Sequence, residues 1–163
     1  MSNFVKQITK YFRRKIMSIL FHDVVFGPVK SRRLGLSLGV NLLPVTAKYC
    51  TFNCIYCECG WAHEKISGDR KLPSREFVLE KLEEKLISMK AADTSPDAIT
   101  FAGNGEPTIH PQFPDILQDT IALRDKYFPD AKVSVLTNAS TLNNPDIFYF
   151  DDICPTITLD PVR

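Results

Sequence analysis

The sequence predicts an α/β fold of parallel strands with helices packed outside them. Two observations carry this prediction. Segments with the alternation or apolar content of strands recur four times, and helical segments lie between them, the last of which is only a short turn. Strands joined by crossover helices run parallel within one sheet. With 163 residues, of which 44% are hydrophobic, the chain is long enough for one domain with a hydrophobic core.

The first strand is predicted at residues 34–42, where apolar residues alternate with small or polar ones. Its apolar face would carry Leu34, Leu36, Leu38, Val40 and Leu42. Its other face would carry Gly35, Ser37, Gly39 and Asn41. The small and polar groups on that second face favour a ligand cavity, and an exposed sheet face is the alternative.

Two helices are predicted after this strand. The first covers residues 75–90; Ser74 can cap it and Glu76 lies in its first turn. One face of this helix would carry Val78, Leu82, Leu86 and Met89. The second helix runs from Pro114 to about Tyr127, and its apolar side would carry Phe113, Leu117 and Ile121.

Three shorter strands complete the predicted sheet. The second strand lies in residues 97–101 and breaks at Gly103, the third covers residues 132–138, and the fourth covers residues 156–160. Residues 144–150 are expected to form the short helical turn before the fourth strand. The chain ends at residue 163, so the fourth strand would be an uncovered edge.

Composition and charge restrict the compartment and the partners. The chain has 20 Lys and Arg against 19 Asp and Glu, a formal net charge of +1, so the overall charge gives no sign of a polyanionic partner. No apolar run is long enough to span a bilayer, and no secretory signal is present, which predicts a cytoplasmic protein without membrane association. Residues 1–20 form a basic amphipathic extension, and residues 21–163 form the core domain.

Four of the five cysteines lie within ten residues, directly after the first predicted strand. Cys50, Cys54 and Cys57 have the spacing C-x3-C-x2-C, and Cys59 follows two residues later. Thiols this crowded fit a disulfide framework poorly and suit zinc or an iron-sulfur cluster. Together with His63, the three regularly spaced cysteines could form a structural zinc site of the Cys3His type.

The C-x3-C-x2-C motif, with Tyr56 just before its third cysteine, resembles the radical S-adenosylmethionine (radical SAM) superfamily. The segment FAGNGEPT after the second strand is similar to the Gly-Gly-Glu segment of that superfamily, with Asn104 in place of the first glycine. Residues 26–44 and 54–60 further resemble a branch of radical SAM Fe-S oxidoreductases related to wyosine-type tRNA-modifying enzymes. The resemblance covers about residues 24–160.

The resemblance implies a 4Fe-4S cluster and S-adenosylmethionine as cofactors. The expected cluster ligands are Cys50, Cys54 and Cys57, with the fourth iron chelated by S-adenosylmethionine and Cys59 not a ligand. The expected cofactor-binding residues are Tyr56 beside the adenine; Gly103, Asn104, Gly105 and Glu106 near the methionine amino group; and, on weaker grounds, Asn138. Asp160, at the end of the fourth strand, is a further expected cofactor or substrate contact.

The implied activity is reductive cleavage of S-adenosylmethionine to give a 5'-deoxyadenosyl radical, which abstracts hydrogen from a substrate. The partners would be an electron donor such as flavodoxin or ferredoxin and an unidentified substrate, which could be RNA, a peptide or a small molecule. The implied fold is a partial parallel (β/α) barrel of six strand-helix units, of which this chain supplies about four strands. We therefore expect a fragment of a longer gene product or a truncated gene, and a partner that completes the sheet is the alternative. For the function, the alternatives to the enzyme are a zinc-stapled (Cys3His) binding module or a catalytically inactive truncated fragment.

Overall fold

The computed structural model describes residues 19–62 and 71–141 and the backbone of residues 153–157. Within this part of the chain, strands form one sheet in the spatial order of the sequence: β1 (Val25–Ser31), β2 (Gly35–Val40), β3 (Ala98–Phe101), β4 (Lys132–Thr137) and β5 (Ile153–Ile157). Two α-helices accompany the sheet: α1 (Arg75–Ala91) and α2 (Phe113–Tyr127). A short 3₁₀ helix (Pro107–Ile109) precedes α2.

Strands β2 to β5 run parallel, which confirms the predicted architecture. Helix α1 connects β2 to β3, and helix α2 connects β3 to β4, so each crossover is the helical connection that parallel neighbours require. The register pairs Ser37 with Ala98, and Ala98 with Lys132. The carboxyl ends of β2, β3 and β4 therefore meet at one edge of the sheet.

Strand β1 was not predicted from the sequence. It pairs antiparallel with β2 as a hairpin and lies at one edge of the sheet. Its sequence contains Gly27 and Pro28, which interrupt any alternation of apolar residues, and its register with β2 shifts between Phe26 and Val29. A proline lacks the N–H that an inner strand would need, so an edge position is where this strand can form.

The polar face of β2 is filled by side chains, so neither the predicted ligand cavity nor its alternative, an exposed sheet face, is found there. Ser37 and Thr100 are buried, and their hydroxyls share a hydrogen bond of 2.7 Å. A Cβ built on Gly39 would overlap the ring of Phe26 from β1. The space above Gly39 is therefore occupied by Phe26 rather than left as a ligand cavity.

The core lies between the sheet and the two helices. The predicted cap of α1 is confirmed, because the Ser74 hydroxyl accepts a hydrogen bond from the Phe77 N–H at 3.3 Å. The predicted face of α1 is buried and packs in a cluster with residues of the sheet and of α2: Val78, Leu82, Leu86, Met89, Leu38, Val40, Ile99, Phe101, Phe113, Ile116, Leu117, Val133 and Val135. Burial stabilises the fold by about 1.5–3 kcal/mol for each large apolar side chain.

The fourth predicted strand begins three residues earlier than expected. Strand β5 covers Ile153–Ile157 and pairs with β4 from Val133 to Thr137. The prediction began after Pro155, whereas Pro155 lies within β5, opposite Val135 of β4. Residues 1–18 of the predicted extension (residues 1–20), the turn at residues 144–150, and Asp160 lie outside the described residues.

Candidate functional site

The candidate site is built from three segments at the carboxyl edge of the parallel strands. The first is the cysteine loop (residues 48–60) after β2, and the second is the glycine-glutamate segment (residues 103–106) after β3. The third is the β4 turn (residues 138–140), which follows β4. In parallel α/β folds, functional groups collect at this edge because several loops converge there.

A backbone bridge holds the cysteine loop against the glycine-glutamate segment. Tyr49 pairs with Gly105 in a parallel bridge: the Tyr49 N–H donates to the Asn104 carbonyl at 2.8 Å, and the Glu106 N–H donates to the Tyr49 carbonyl at 3.1 Å. Gly105 has φ +147°, and a Cβ built there would overlap the Tyr49 carbonyl oxygen. Glycine at position 105 is therefore what allows the two backbones to approach each other.

The Glu106 carboxylate joins the ends of β3 and β4. It is 1% exposed, and its Oε1 accepts hydrogen bonds from the Thr108 N–H at 3.2 Å, the Thr108 hydroxyl at 2.5 Å and the Thr137 hydroxyl at 2.8 Å. Its Oε2 accepts one hydrogen bond, from the Asn138 N–H at 2.6 Å. A carboxylate has about four acceptor positions. Oε2 therefore keeps capacity for a further donor.

The Asn104 side chain points away from the cysteines. It is fully buried, and its amide exchanges hydrogen bonds of 2.8 and 2.9 Å with the Phe21 backbone and donates to the Pro44 carbonyl at 2.9 Å. The Asn104 N–H donates to the Asn41 side-chain oxygen at 3.1 Å. The side chain thus anchors the segment that precedes β1, and the predicted cofactor contact of Asn104 remains a prediction for its backbone alone. The backbone of Gly103, at φ +144°, packs directly on Asn41.

The four cysteines of the loop are half-buried free thiols. Turn hydrogen bonds of 3.1 Å, from the Cys57 N–H to the Cys54 carbonyl and from the Gly60 N–H to the Cys57 carbonyl, shape the second half of the loop. Cys50 Sγ accepts hydrogen bonds from the Phe52 N–H at 3.4 Å and from the Asn138 side-chain amide at 3.5 Å. Burial raises the pKa of the Cys50 thiol, and the Phe52 N–H partly opposes that rise.

Cys59 differs from the other three cysteines in its hydrogen bonding. Its thiol donates to the Gly103 carbonyl at 3.4 Å. Burial, followed by the charge of Cys57, raises the pKa of Cys59 to about 11. A thiol that is protonated at neutral pH and already directed at a carbonyl is poorly prepared to be a metal ligand. This arrangement supports leaving Cys59 out of the ligand set.

Lys48 was missed by the sequence reasoning. Its side chain is buried, at 4% exposed, and its Nζ donates to the Gly60 carbonyl at 3.0 Å, so it joins the two ends of the cysteine loop. Its charge lowers the pKa of both Cys50 and Cys59, against the effect of burial. A lysine two residues before the first cysteine was the available signal, but nothing in the sequence indicated that it would be buried.

Tyr56 and Ile55 project from the cysteine loop into solvent, at 59% and 93% exposed. The Tyr56 ring is therefore accessible to a ligand bound beside the loop. Asn138 lies next to Cys50, as described above, and its backbone is fixed by Glu106. Of the predicted site residues, all but Asp160 thus fall on the three segments of the candidate site.

The donor set fits an iron-sulfur cluster. In such a cluster each cysteine thiolate binds a separate iron, so the sulfur atoms need not converge on one point. A zinc site needs ligands that converge on a single ion, and within residues 19–62 and 71–141 no three Cys, His, Asp or Glu side chains do so. His63, the fourth ligand of the zinc alternative, lies outside the described residues.

No helix in the described ranges is long and apolar enough to cross a membrane.

Comparison with known proteins places the chain in a family. A family model described as the radical SAM superfamily matches residues 45–154. A UPF0026 protein of Methanocaldococcus jannaschii is 34% identical over 76% of the chain and 36% of its own length, and a UPF0026 protein of Helicobacter pylori is 35% identical over 76% of the chain and 37% of its own length. A protein of Brachyspira hyodysenteriae named GTPase Obg is 34% identical over 89% of the chain and 20% of its own length.

The chain thus spans well under half of the length of these relatives. A solved structure of TYW1 with a lysine-pyruvate adduct bound has a TM-score of 0.45 and 16% identity, over 82% of this chain and 51% of that one. The family match covers the cysteine loop, the glycine-glutamate segment, β3 and β4, and it begins after β2. This chain, with its partial parallel (β/α) barrel, belongs to the radical SAM superfamily.

Proposed function

We propose that the chain binds a 4Fe-4S cluster and S-adenosylmethionine at the carboxyl edge of its sheet and reductively cleaves the latter to initiate radical chemistry on a substrate. One observation carries this proposal. In a member of the radical SAM superfamily, the half-buried thiols of Cys50, Cys54 and Cys57 lie on a loop that is tied through Tyr49 to Gly105, next to the buried carboxylate of Glu106.

The residues present would divide the binding between them. Cys50, Cys54 and Cys57 would hold the cluster, which supplies one electron for cleavage of S-adenosylmethionine to methionine and a 5'-deoxyadenosyl radical. Glu106 would accept a hydrogen bond from an amino group at Oε2, where acceptor capacity remains. Tyr56, exposed on the loop, would lie by the adenine, mostly through its backbone. The tight bridge at Gly105 would keep the loop and the carboxylate in a fixed relation.

The partners belong to the proposal as well. One-electron reduction needs a donor such as flavodoxin or ferredoxin, and reduced thiols in a loop of this kind fit the cytoplasm. The substrate would be RNA, as in the tRNA-modifying enzymes that the sequence resembles, or else a peptide or a small molecule. Because the chain spans 36% of the length of its Methanocaldococcus relative, part of any substrate site can lie in sequence that this chain does not include.

Anaerobic reconstitution tests cluster binding directly. We expect about four irons per chain and a broad absorption near 400 nm that bleaches on reduction. Cys54→Ala should lose the cluster, and Cys59→Ala, the matched control in the same loop, should retain it. Retention of iron by Cys54→Ala would contradict the ligand assignment. A colourless protein with one zinc per chain would favour the zinc-stapled binding module instead.

A cleavage assay then tests the activity. The reconstituted chain, mixed with dithionite and S-adenosylmethionine, should release 5'-deoxyadenosine and methionine in equal amounts. A protein that holds the cluster and releases neither product would be an inactive fragment of a radical SAM enzyme.

A further inference from the structure

Lys48 is a buried cation that pairs with no carboxylate in the described part of the chain. Its side chain is 4% exposed, and its ammonium donates to the neutral Gly60 carbonyl at 3.0 Å. No carboxylate of residues 19–62 or 71–141 forms a salt bridge with it. Lysine is almost never fully buried unless it is paired, because desolvating its charge is costly. A negative charge close to the Lys48 ammonium would stabilise it, and the described side chains do not supply one.

The ammonium lies at the base of the loop that carries the three proposed ligands. Lys48 is two residues before Cys50, and its partner Gly60 is three residues after Cys57, so the ion connects the two ends of the loop that carries every proposed ligand. The Gly60 N–H donates in turn to the Cys57 carbonyl at 3.1 Å, so the ammonium is tied to the turn that follows the third proposed ligand.

A purely structural role explains the hydrogen bond but not the charge. A neutral donor could satisfy the Gly60 carbonyl at a smaller desolvation cost. Glu106, the buried carboxylate of the site, is held by Thr108, Thr137 and Asn138 and forms no salt bridge with Lys48. The charge of Lys48 is the feature that requires an explanation.

We propose that the Lys48 ammonium is a fixed counter-charge for the thiolates of the cysteine loop and that it raises the reduction potential of the cluster they hold. The inference rests on the proposed function. Three ligating thiolates make the site anionic, and uptake of one electron from the reductant adds a further negative charge. A buried cation next to the thiolates favours the more negative state, because charges interact strongly where water is excluded.

Three substitutions separate charge from hydrogen bonding. Lys48→Met removes both, Lys48→Gln removes the charge and keeps a donor for the Gly60 carbonyl, and Lys48→Arg keeps the charge. Each full-length chain is reconstituted anaerobically, its iron is counted, and its midpoint potential is measured by a redox titration followed by electron paramagnetic resonance. We expect lower midpoint potentials for Lys48→Met and Lys48→Gln, and a potential near that of the wild type for Lys48→Arg.

The outcomes distinguish this inference from the proposed function. If the wild-type chain takes up no cluster, the proposed function fails. If the wild type holds a cluster and the two uncharged variants have its potential, the counter-charge role is wrong and the function stands. Loss of iron in both uncharged variants but not in Lys48→Arg supports the role of charge, and loss in all three overturns it.

The melting temperature of the cluster-free protein distinguishes a charge role of Lys48 from a purely structural role. If Lys48 is an uncompensated buried charge in the cluster-free protein, Lys48→Met should melt at a temperature equal to or above that of the wild type. A clear fall in the melting temperature of cluster-free Lys48→Met, together with an unchanged potential in Lys48→Gln, would make Lys48 a structural residue and overturn the proposal.

Discussion

The side-chain amide of Asn138 donates a hydrogen bond to the Cys50 sulfur at 3.5 Å. These residues are 88 positions apart in the sequence, and the contact joins the β4 turn to the cysteine loop. The same amide nitrogen donates to the Thr51 hydroxyl at 3.0 Å. The side-chain oxygen of Asn138 accepts from the Ser140 N–H at 2.9 Å. The Asn138 backbone N–H donates to Glu106. One residue thus fixes a proposed ligand, its loop and the buried carboxylate relative to each other.

Replacing Asn138 by aspartate should weaken retention of the cluster. Asn138→Asp keeps the oxygen that accepts from Ser140, but it removes the N–H that faces Cys50 and places a negative charge beside the sulfur. Loss of a group that supports a metal ligand typically costs about tenfold or more in affinity. We expect iron release to a chelator to be faster by about that factor. Ser140→Ala, which removes only the hydroxyl contact to Thr51, is the control and should release iron at the wild-type rate.

Replacing Glu106 by glutamine should destabilise the protein even without a cluster. The carboxylate is the acceptor in all four of its described hydrogen bonds. In Glu106→Gln one of its oxygens becomes an NH₂ group, which would face either the Asn138 N–H or the donors at Oε1. A buried donor left opposite another donor costs about 1–3 kcal/mol in the free energy of unfolding. Urea unfolding measures this loss. The comparison variant Thr137→Val removes one donor to Glu106 and the oxygen that accepts from the Ala139 N–H at 3.0 Å, and it should cost about 1 kcal/mol. No loss of stability in Glu106→Gln would argue against an obligatory acceptor at position 106.

Replacing Gly105 by alanine should separate the cysteine loop from the glycine-glutamate segment. The added Cβ would meet the Tyr49 carbonyl, and alanine is strained at φ +147°. We expect a loss of about 3 kcal/mol in unfolding free energy from the backbone strain, together with reduced cluster uptake. In Gly39→Ala the obstacle is the Phe26 ring, which can rotate, and the backbone is not in the left-handed region. A smaller loss in Gly105→Ala than in Gly39→Ala would contradict this account of the bridge.

Alkylation of Cys59 in the cluster-free protein should require high pH. Its pKa of about 11 leaves it protonated at neutral pH. The thiolate is the reactive form, so its rate with iodoacetamide should rise by about tenfold for each pH unit below that pKa. Peptide mass spectrometry after timed alkylation gives the rate at this site.

Because the folded protein holds the Cys59 proton more tightly than the unfolded chain does, the stability of the fold should decrease as pH rises from about 8.5 towards 11. A midpoint for Cys59 alkylation near 8.5 would show that its thiol is not held as described.

Acidification should destabilise the fold through His110. This side chain is buried, its Nδ1 accepts from the Gln112 N–H at 3.1 Å, and its Nε2 lies 3.0 Å from the Pro73 carbonyl. Burial lowers the pKa of His110, so the unfolded chain takes up the proton first as pH falls. Stability is therefore present above about 6.5, the unfolded value, and is lost as pH falls from there towards the lower folded pKa.

Unfolding midpoints in urea between pH 7.5 and pH 5 measure this loss. His110→Gln, which does not titrate in this range, should show a flatter dependence on pH than the wild type. Equal slopes for the two proteins would assign the acid sensitivity to another group.

Much of the fold was predictable because its signals are local. The cap at Ser74 and the apolar spacing of α1 depend on residues within a few turns of each other, and both are confirmed. Strand β1 escaped prediction because Gly27 and Pro28 obscure its pattern, and only its pairing with β2 makes it a strand. Strand β5 begins before Pro155 for a similar reason, because the position of a proline within a sheet is not a local property.

The sequence by itself determined the spacing of Cys50, Cys54 and Cys57, their place after a strand, and the resemblance that these residues carry, since each of these depends on order along the chain. The tertiary structure decided which distant groups meet those cysteines. It buried Lys48 against Gly60, placed the Asn138 amide on Cys50, and turned the Asn104 side chain away from the site. These contacts form because the carboxyl ends of parallel strands meet at one edge of the sheet. The residues that meet there are far apart in the sequence, so no short segment predicts the contacts.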